Sequence, residues 1–289
     1  MSGQLLGLLI GPFEAFGFMR VALVASFALA LANGPVGTLL LMRRESLSGY
    51  VLSHAVMPGA ALGFLYAGYS LAALSVGGLL TGLVVAGLAA LKTRSMPQRQ
   101  DVILIAFYLV SLSFGILIVA ARGSQADLMH VLFGTVLAVD VKALLLIAGI
   151  TSITLLVIAA LYRPLAVESF DPAFLRAVGG GGGVSRAIFI TLVALNLVAS
   201  FQAFGTLLAV GPMLLPAAAA RCWTQKVWPM IALATVIGMA AALAGLLISY
   251  YANLPSGPAI VMGAGLIYGI SLLAAGRMRF EPKTFEEQR

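Results

Sequence analysis

His54 lies within SLSGYVLSHAVMPGAALGFLYAGYS, residues 46–70, a stretch with no charged side chain. A polar ring placed among apolar residues costs free energy, and inside a membrane it marks a path for a polar solute. Neutral imidazole is a common ligand for divalent transition metals. Pro58, four residues on, has no N–H to give to the His54 carbonyl. That oxygen is left as a second donor or as the weak point of a hinge, with Gly59 beside it. The alternative is a core histidine hydrogen-bonded to a neighbouring helix. The only other histidine, His130, stands in QADLMHVLFG, residues 125–134. Asp127 is three residues before it, so the two share a face if the segment is helical. They would suit a cation entering from outside, or else a solvated loop with Asp127 as a cap.

Other chemistry finds little support. The remaining carboxylates considered (Glu14, Glu45, Asp101, Asp140, Glu168, Asp171) fall at the ends of apolar runs or between them. No interior carboxylate pair is available for a proton relay. There is no HExxH and no nucleophile motif for a Ser-His-Asp set. A single cysteine, Cys222, excludes an internal disulfide and any multi-cysteine metal centre. The five glycines 179–183 lack the Gly-Lys-Ser/Thr of a phosphate loop, so any ATP hydrolysis belongs to another chain. Ligands this sparse suit transient coordination during passage better than storage.

The elements that must hold these groups are membrane spans. The chain is 61% hydrophobic and 9% charged, with a mean hydropathy of +1.07, which places it in the membrane class. A span needs about 20 apolar residues. Residues 21–42, 70–91, 102–121, 143–162, 227–253 and 255–276 qualify, and 51–68 makes a shorter one. The uncharged run 187–220 is too long for one span and has Gly205, Gly211, Pro212 and Pro216 as places to break. The expectation is an all-α polytopic bundle of about nine helices, eight to nine, in a single domain over residues 1–289. The start of the chain has no basic region and carries Pro12 and Glu14, so it reads as an interfacial lead into the first span.

Arg43, Arg44, Lys92, Arg94, Arg99, Arg163, Arg176, Arg186, Arg221, Lys226, Arg277, Arg279 and Lys283 all fall on one side of a nine-span topology, which is then cytoplasmic. The net charge of +7 reflects this topology and does not suggest a nucleic-acid surface. The one substantial polar insertion is residues 163–186. Asp171 and Pro172 have the grammar of a helix start, which suggests a short helix turned toward a partner, or a plain linker. Gly59/Gly63, Gly78/Gly82 and Gly265/Gly269 permit close helix packing. A weak echo relates GTLL at Gly37–Leu40 to GTLL at Gly205–Leu208. Each is followed by a proline among alanines, in VMPGAAL and LLPAAAA, as in segments that flank a central transport site.

FMRVAL (18–23), RRESLSGYVLSHAVMPGAALGF (43–64), LMHVLFGTVLAV (128–139), FDPAFLRAVG (170–179), GTLLAVGPMLLPAAAAR (205–221) and YYANLPSGPAIV (250–261) together resemble the integral-membrane permeases of bacterial zinc, manganese and iron ABC importers, the ABC-3 family. The resemblance spans essentially the whole chain. It implies a multi-pass protein of the bacterial inner membrane that is not itself an enzyme. Two copies would form the channel. Two ATPase subunits would dock on Phe170, Asp171, Pro172, Phe174 and Arg176, and a periplasmic or lipoprotein metal-binding protein would deliver the cation. No covalently bound cofactor is implied, only a transported divalent metal. His54 would touch that metal, with Tyr50, Pro58, Gly59, Pro212 and Pro216 lining or hinging the pathway.

One position departs from the pattern. The family has Gly-Asp where this chain has Gly49-Tyr50, and a phenol of pKa near 10 is a poor metal ligand at neutral pH. Loss of the acid leaves nitrogen as the main donor. His54 would then work with the second copy's His54 and backbone oxygens, or the site is weaker, or the solute differs. Nitrogen donors favour zinc, with manganese or iron next. The alternative is a similar permease for a metal chelate or another small solute.

Overall fold

In the computed structural model the described residues are 10–43, 46–67, 70–95, 109–111, 113, 115, 117, 136–170, 182–205 and 208–279. Among them there is no strand. The helices are α1 (Gly17–Met42), α2 (Ser46–Ala67), α3 (Leu71–Ser95), α4 (Val141–Phe170), α5 (Gly182–Phe204), α6 (Gly211–Trp223), α7 (Val227–Ala252) and α8 (Ser256–Arg279), with a 3-10 turn at Val136–Ala138 before α4. Residues 109–111, 113, 115 and 117 contribute further helical positions. The expected all-α polytopic bundle is present. Helices are favoured because lipid cannot satisfy backbone N–H and C=O groups, so each span must satisfy its own.

α1, α4, α5, α7 and α8 are long and apolar enough to cross a bilayer. Their burial separates centre from rim. The apolar window of α1 is 72% buried and that of α5 67%, against 28% for α4 and α8. α1 is therefore the axis, and α4, α7 and α8 offer their outer faces to lipid. Between helices already surrounded by lipid, burial gives little hydrophobic gain, so close packing and interhelical hydrogen bonds must hold the bundle. Both devices occur. Thr151 Oγ1 of α4 donates to the Ala28 carbonyl of α1. Asn33 Nδ2 of α1 donates to Ser200 Oγ of α5 at 3.1 Å. Asn196 Nδ2 of α5 donates to Thr154 Oγ1 of α4 at 2.9 Å. In the α2–α3 hairpin, a Cβ at Gly59 would land on the Gly77 carbonyl and Thr81 Oγ1, and one at Gly63 on the Ala73 carbonyl.

The break in 187–220 comes at Gly205, whose φ of 76° lies in the left-handed region that favours glycine. α5 ends at Phe204, and α6 restarts at Gly211 with Pro212 in its first turn. Pro216 does not break the chain as the sequence suggested. It sits inside α6, which at 13 residues is roughly 20 Å long. The two GTLL stretches also part ways. Gly37 is mid-helix, against the Met213 carbonyl, whereas Gly205 makes the turn, so the echo is not a structural repeat at these positions. The polar insertion is shorter than residues 163–186, because α4 continues through Pro164 to Phe170 with a kink at Leu161 (φ −107°, ψ 19°). A proline ring crowds the turn before it, which accounts for a bend there.

The two ends of the bundle are distinguishable. Tyr162 of α4 and Trp228 of α7 stack with centroids 4.6 Å apart, and Arg221 reaches the Leu41 carbonyl, all at the arginine-rich end. At the other end Phe16 meets Tyr250 at 5.8 Å, Asp140 Oδ1 accepts from the Ala143 N–H in the first turn of α4, and Val136 N–H donates to Ser256 Oγ. Aromatic rings at both ends suit the two membrane–water interfaces.

Candidate metal pathway

α2 carries His54 at its centre, and Tyr50 stands one helical turn before it on the same face. The Tyr50 side chain lies outside the described residues. His54 is 1% exposed. Ser53 Oγ lies 3.0 Å from its Nδ1. In the tautomer with the proton on Nδ1 the ring donates to Ser53 Oγ, a hydrogen bond of the kind that orients metal-binding histidines. The neighbours Leu52 and Ala55 pack into a cluster with Val36, Leu39, Leu192, Leu197 and Met213. Because its own chain encloses the ring, direct pairing with a second copy's His54 would require α2 to move.

Pro58 lies inside α2 without ending it, so the His54 carbonyl has no N–H partner from residue 58. Gly115 presses on this level of the helix. A Cβ at Gly115 would come 2.8 Å from Met57 Cγ and 3.2 Å from the Pro58 nitrogen. Gly59 packs against Gly77 and Thr81 of α3. His54, Pro58 and Gly59 are thus brought together on one helix. Pro212 and Pro216 are elsewhere. With Ser26, Leu29, Phe204 and Gly238 they border a cavity of about 10 Å³ among α1, α5, α6, α7 and α8, and its lining does not include His54. That volume sits at the threshold for one water.

Asp127 and His130 lie outside the described residues, as do Asp171, Pro172, Phe174 and Arg176. Phe170 is the last residue of α4. Among the described residues no three His, Cys, Asp or Glu side chains converge on a point that could hold a metal ion.

Sequence reasoning missed the polar groups buried around α1. Ser26 Oγ, Asn33 Oδ1 and Thr38 Oγ1 of α1 and Asn196 Oδ1 of α5 have no hydrogen-bond partner among the described residues. An asparagine within an uncharged span was signal enough, since polar groups there must face the protein. It also missed the burial of Arg43 and Glu168, which pair at 3.2 Å with side chains 5% and 7% exposed.

The profile of the ABC 3 transport family matches residues 15–275. The chain is 32% identical over 270 residues to the manganese import system permease protein ScaB of Streptococcus parasanguinis, covering 93% of this chain and 95% of that one. It is 32% identical over 260 residues to the manganese transport system membrane protein MntC of Listeria innocua, covering 90% and 91%. The solved structure of PsaBC from Streptococcus pneumoniae in complex with Fab superposes with a TM-score of 0.86 at 29% identity, covering 97% of this chain and 98% of that one. These curated relatives are named for manganese, where donor chemistry at His54 had put zinc first.

Proposed function

The chain belongs to the ABC 3 transport family, and from that premise we propose that it carries manganese across the bacterial cytoplasmic membrane, with His54 as a contact on the route. It is a multi-pass permease subunit of a metal ABC importer. It is not an enzyme, since ATP is hydrolysed on a separate subunit, and a substrate-binding partner completes the system. In our reading two copies of the chain and two ATPase subunits make up the importer, and the ATPases dock on Phe170 and the segment carrying Asp171, Pro172, Phe174 and Arg176. Asp127 and His130 are candidates for the outer entrance.

The observation that carries the role of His54 is an imidazole 1% exposed on an uncharged helix, with Ser53 Oγ 3.0 Å from its Nδ1 and a carbonyl that receives no N–H from Pro58. In this arrangement one nitrogen and one carbonyl oxygen lie within a single turn. A divalent ion loses water at such a point and recovers part of that cost, without binding so tightly that it stays. Manganese accepts neutral oxygen donors readily. Manganese uptake into vesicles carrying the full assembly tests the reading. His54→Ala should lower ATP-driven uptake by about tenfold or more while the subunits still co-purify. Undiminished uptake would remove His54 from the route.

Zinc is the second reading. It is favoured by Tyr50, which supplies no carboxylate beside the imidazole and leaves nitrogen as the stronger donor. Competition decides between the two. Manganese transport requires that equimolar zinc leave most manganese uptake intact, and near-complete suppression with zinc accumulating instead would reverse the assignment. Accumulation of neither metal, with ATP still consumed, would point to a chelate or another small solute.

A further inference from the structure

Arg43 caps α1 on the arginine-rich side of the bundle, and its side chain is 5% exposed. Its Nε donates to Ser169 Oγ at 3.1 Å. Its Nη2 donates to Glu168 Oε2 at 3.2 Å and to the Leu165 carbonyl at 3.3 Å. Its Cζ lies 4.0 Å from the centroid of the Phe189 ring. Leu165, Glu168 and Ser169 belong to the end of α4, the stem that enters the segment 171–181. Phe189 belongs to α5, the stem that leaves it. The kink at Leu161 separates this last stretch of α4 from the rest of the helix. One planar cation therefore holds both stems of the segment assigned to ATPase docking.

Arg43 is also two residues short of α2. The junction is tight, since a Cβ at Gly49 would strike Leu40 Cδ2. His54 lies roughly 12 Å along α2 from its first residue, Ser46. A buried ion pair adds little net stability over an apolar pair of the same size, but separating its partners leaves two uncompensated charges in a low dielectric. The fork geometry of arginine fixes direction as well as distance. Such a joint transmits displacement, because its parts move together more readily than they part.

We infer that Arg43 is the positioning residue that relays movement of the docking segment to the helix bearing His54. The inference rests on the docking role proposed above for residues 170–176. It assigns Arg43 no contact with the metal or with ATP.

The test uses the full assembly in proteoliposomes, with three readouts: ATPase retained on purification, ATP hydrolysis rate, and manganese moved per ATP. Arg43→Gln should retain the ATPase and lose roughly two- to thirtyfold in manganese moved per ATP. Arg43→Lys, which keeps the charge but not the fork, should fall between Arg43→Gln and the unaltered protein. If Arg43→Gln does not fold, the paired change Arg43→Met with Glu168→Met removes both charges without orphaning either, and should fold and be uncoupled to the same extent. Unchanged coupling in a folded variant overturns the inference. Loss of the ATPase from the paired variant overturns it too, because Arg43 would then hold the docking surface and relay nothing. Asp171→Ala with Phe174→Ala separates this from the premise. If that protein keeps its ATPase, the docking assignment fails, whatever Arg43 does.

Discussion

Between α2 and α3 the joint is backbone on backbone, with Gly59 facing Gly77 and Gly63 facing Ala73. Among α1, α4 and α5 the joint is made by side chains, through Asn33 and Ser200, Asn196 and Thr154, Thr151 and the Ala28 carbonyl, and the Arg43 cluster. Neither joint gains much from expelling water, because both lie in lipid-embedded helices. Glycine contacts work through short distance alone and tolerate no added carbon. They have little preference along the helix axis. Hydrogen bonds specify direction and register. The hairpin carrying His54 is thus a unit held tightly within itself, beside a frame pinned by directional bonds. One polar contact between them is Gln202 Nε2 of α5 donating to Ser75 Oγ of α3 at 3.0 Å.

The sharpest way to break this contrast is Gly59→Val. Branched carbon placed on the Gly77 carbonyl and Thr81 Oγ1 cannot be accommodated without parting the hairpin, and a cost above ~3 kcal/mol is expected. Size-exclusion profile and melting temperature in detergent report it, and a well-folded Gly59→Val protein would mean the hairpin is looser than described. A smaller effect is expected in the frame. A double-mutant cycle on Asn33→Ala and Ser200→Ala should give a coupling of about 0.6 kcal/mol, with ~1.7 as an upper bound. Additive losses would show that this bond does not pin α1 to α5.

Thr151→Val should cost less stability than Asn33→Ala alone, within about 1 kcal/mol, because the Ala28 carbonyl keeps its own helical partner. Equilibrium unfolding in detergent compares it with the Asn33 variants, and a loss larger than theirs would invert the order proposed for the frame. The smallest effect belongs to Gly265→Ala on α8. A Cβ there meets nothing within 4 Å, and a change within ~0.5 kcal/mol is expected. A loss as large as that of Gly59→Val would show that the Gly265/Gly269 pair is a packing surface in the assembled protein.

Several features were legible from residue types alone. Uncharged runs located the described spans, the expected span 102–121 lying mostly outside the described residues, and Gly205 marked the break between α5 and α6 because its backbone conformation favours glycine. Proline was a mixed guide. Pro58 lies inside α2 and Pro212 in the first turn of α6 as their reading required, whereas Pro216, read as a break, lies inside α6, since neighbouring helices and local bending can absorb a missing hydrogen bond in a membrane. Glu168 shows another limit. It resembled a loop carboxylate because it follows Arg163 and precedes Asp171, yet α4 runs past it and α1 supplies its cation. No local pattern links residues 43 and 168.

By itself the sequence determined that this is a multi-pass helical membrane protein, which end of it is rich in arginine, and that an imidazole lies deep in an uncharged helix. These follow from free energies of transfer that each residue carries with it wherever the chain goes. Tertiary structure alone decided that His54 is enclosed by its own chain, that Gly59 serves the α3 contact, and that Arg43 joins both stems of the segment before and after it. Those outcomes depend on which distant helices meet, and in lipid that choice rests on close fit and hydrogen-bond geometry, which no single stretch of sequence contains.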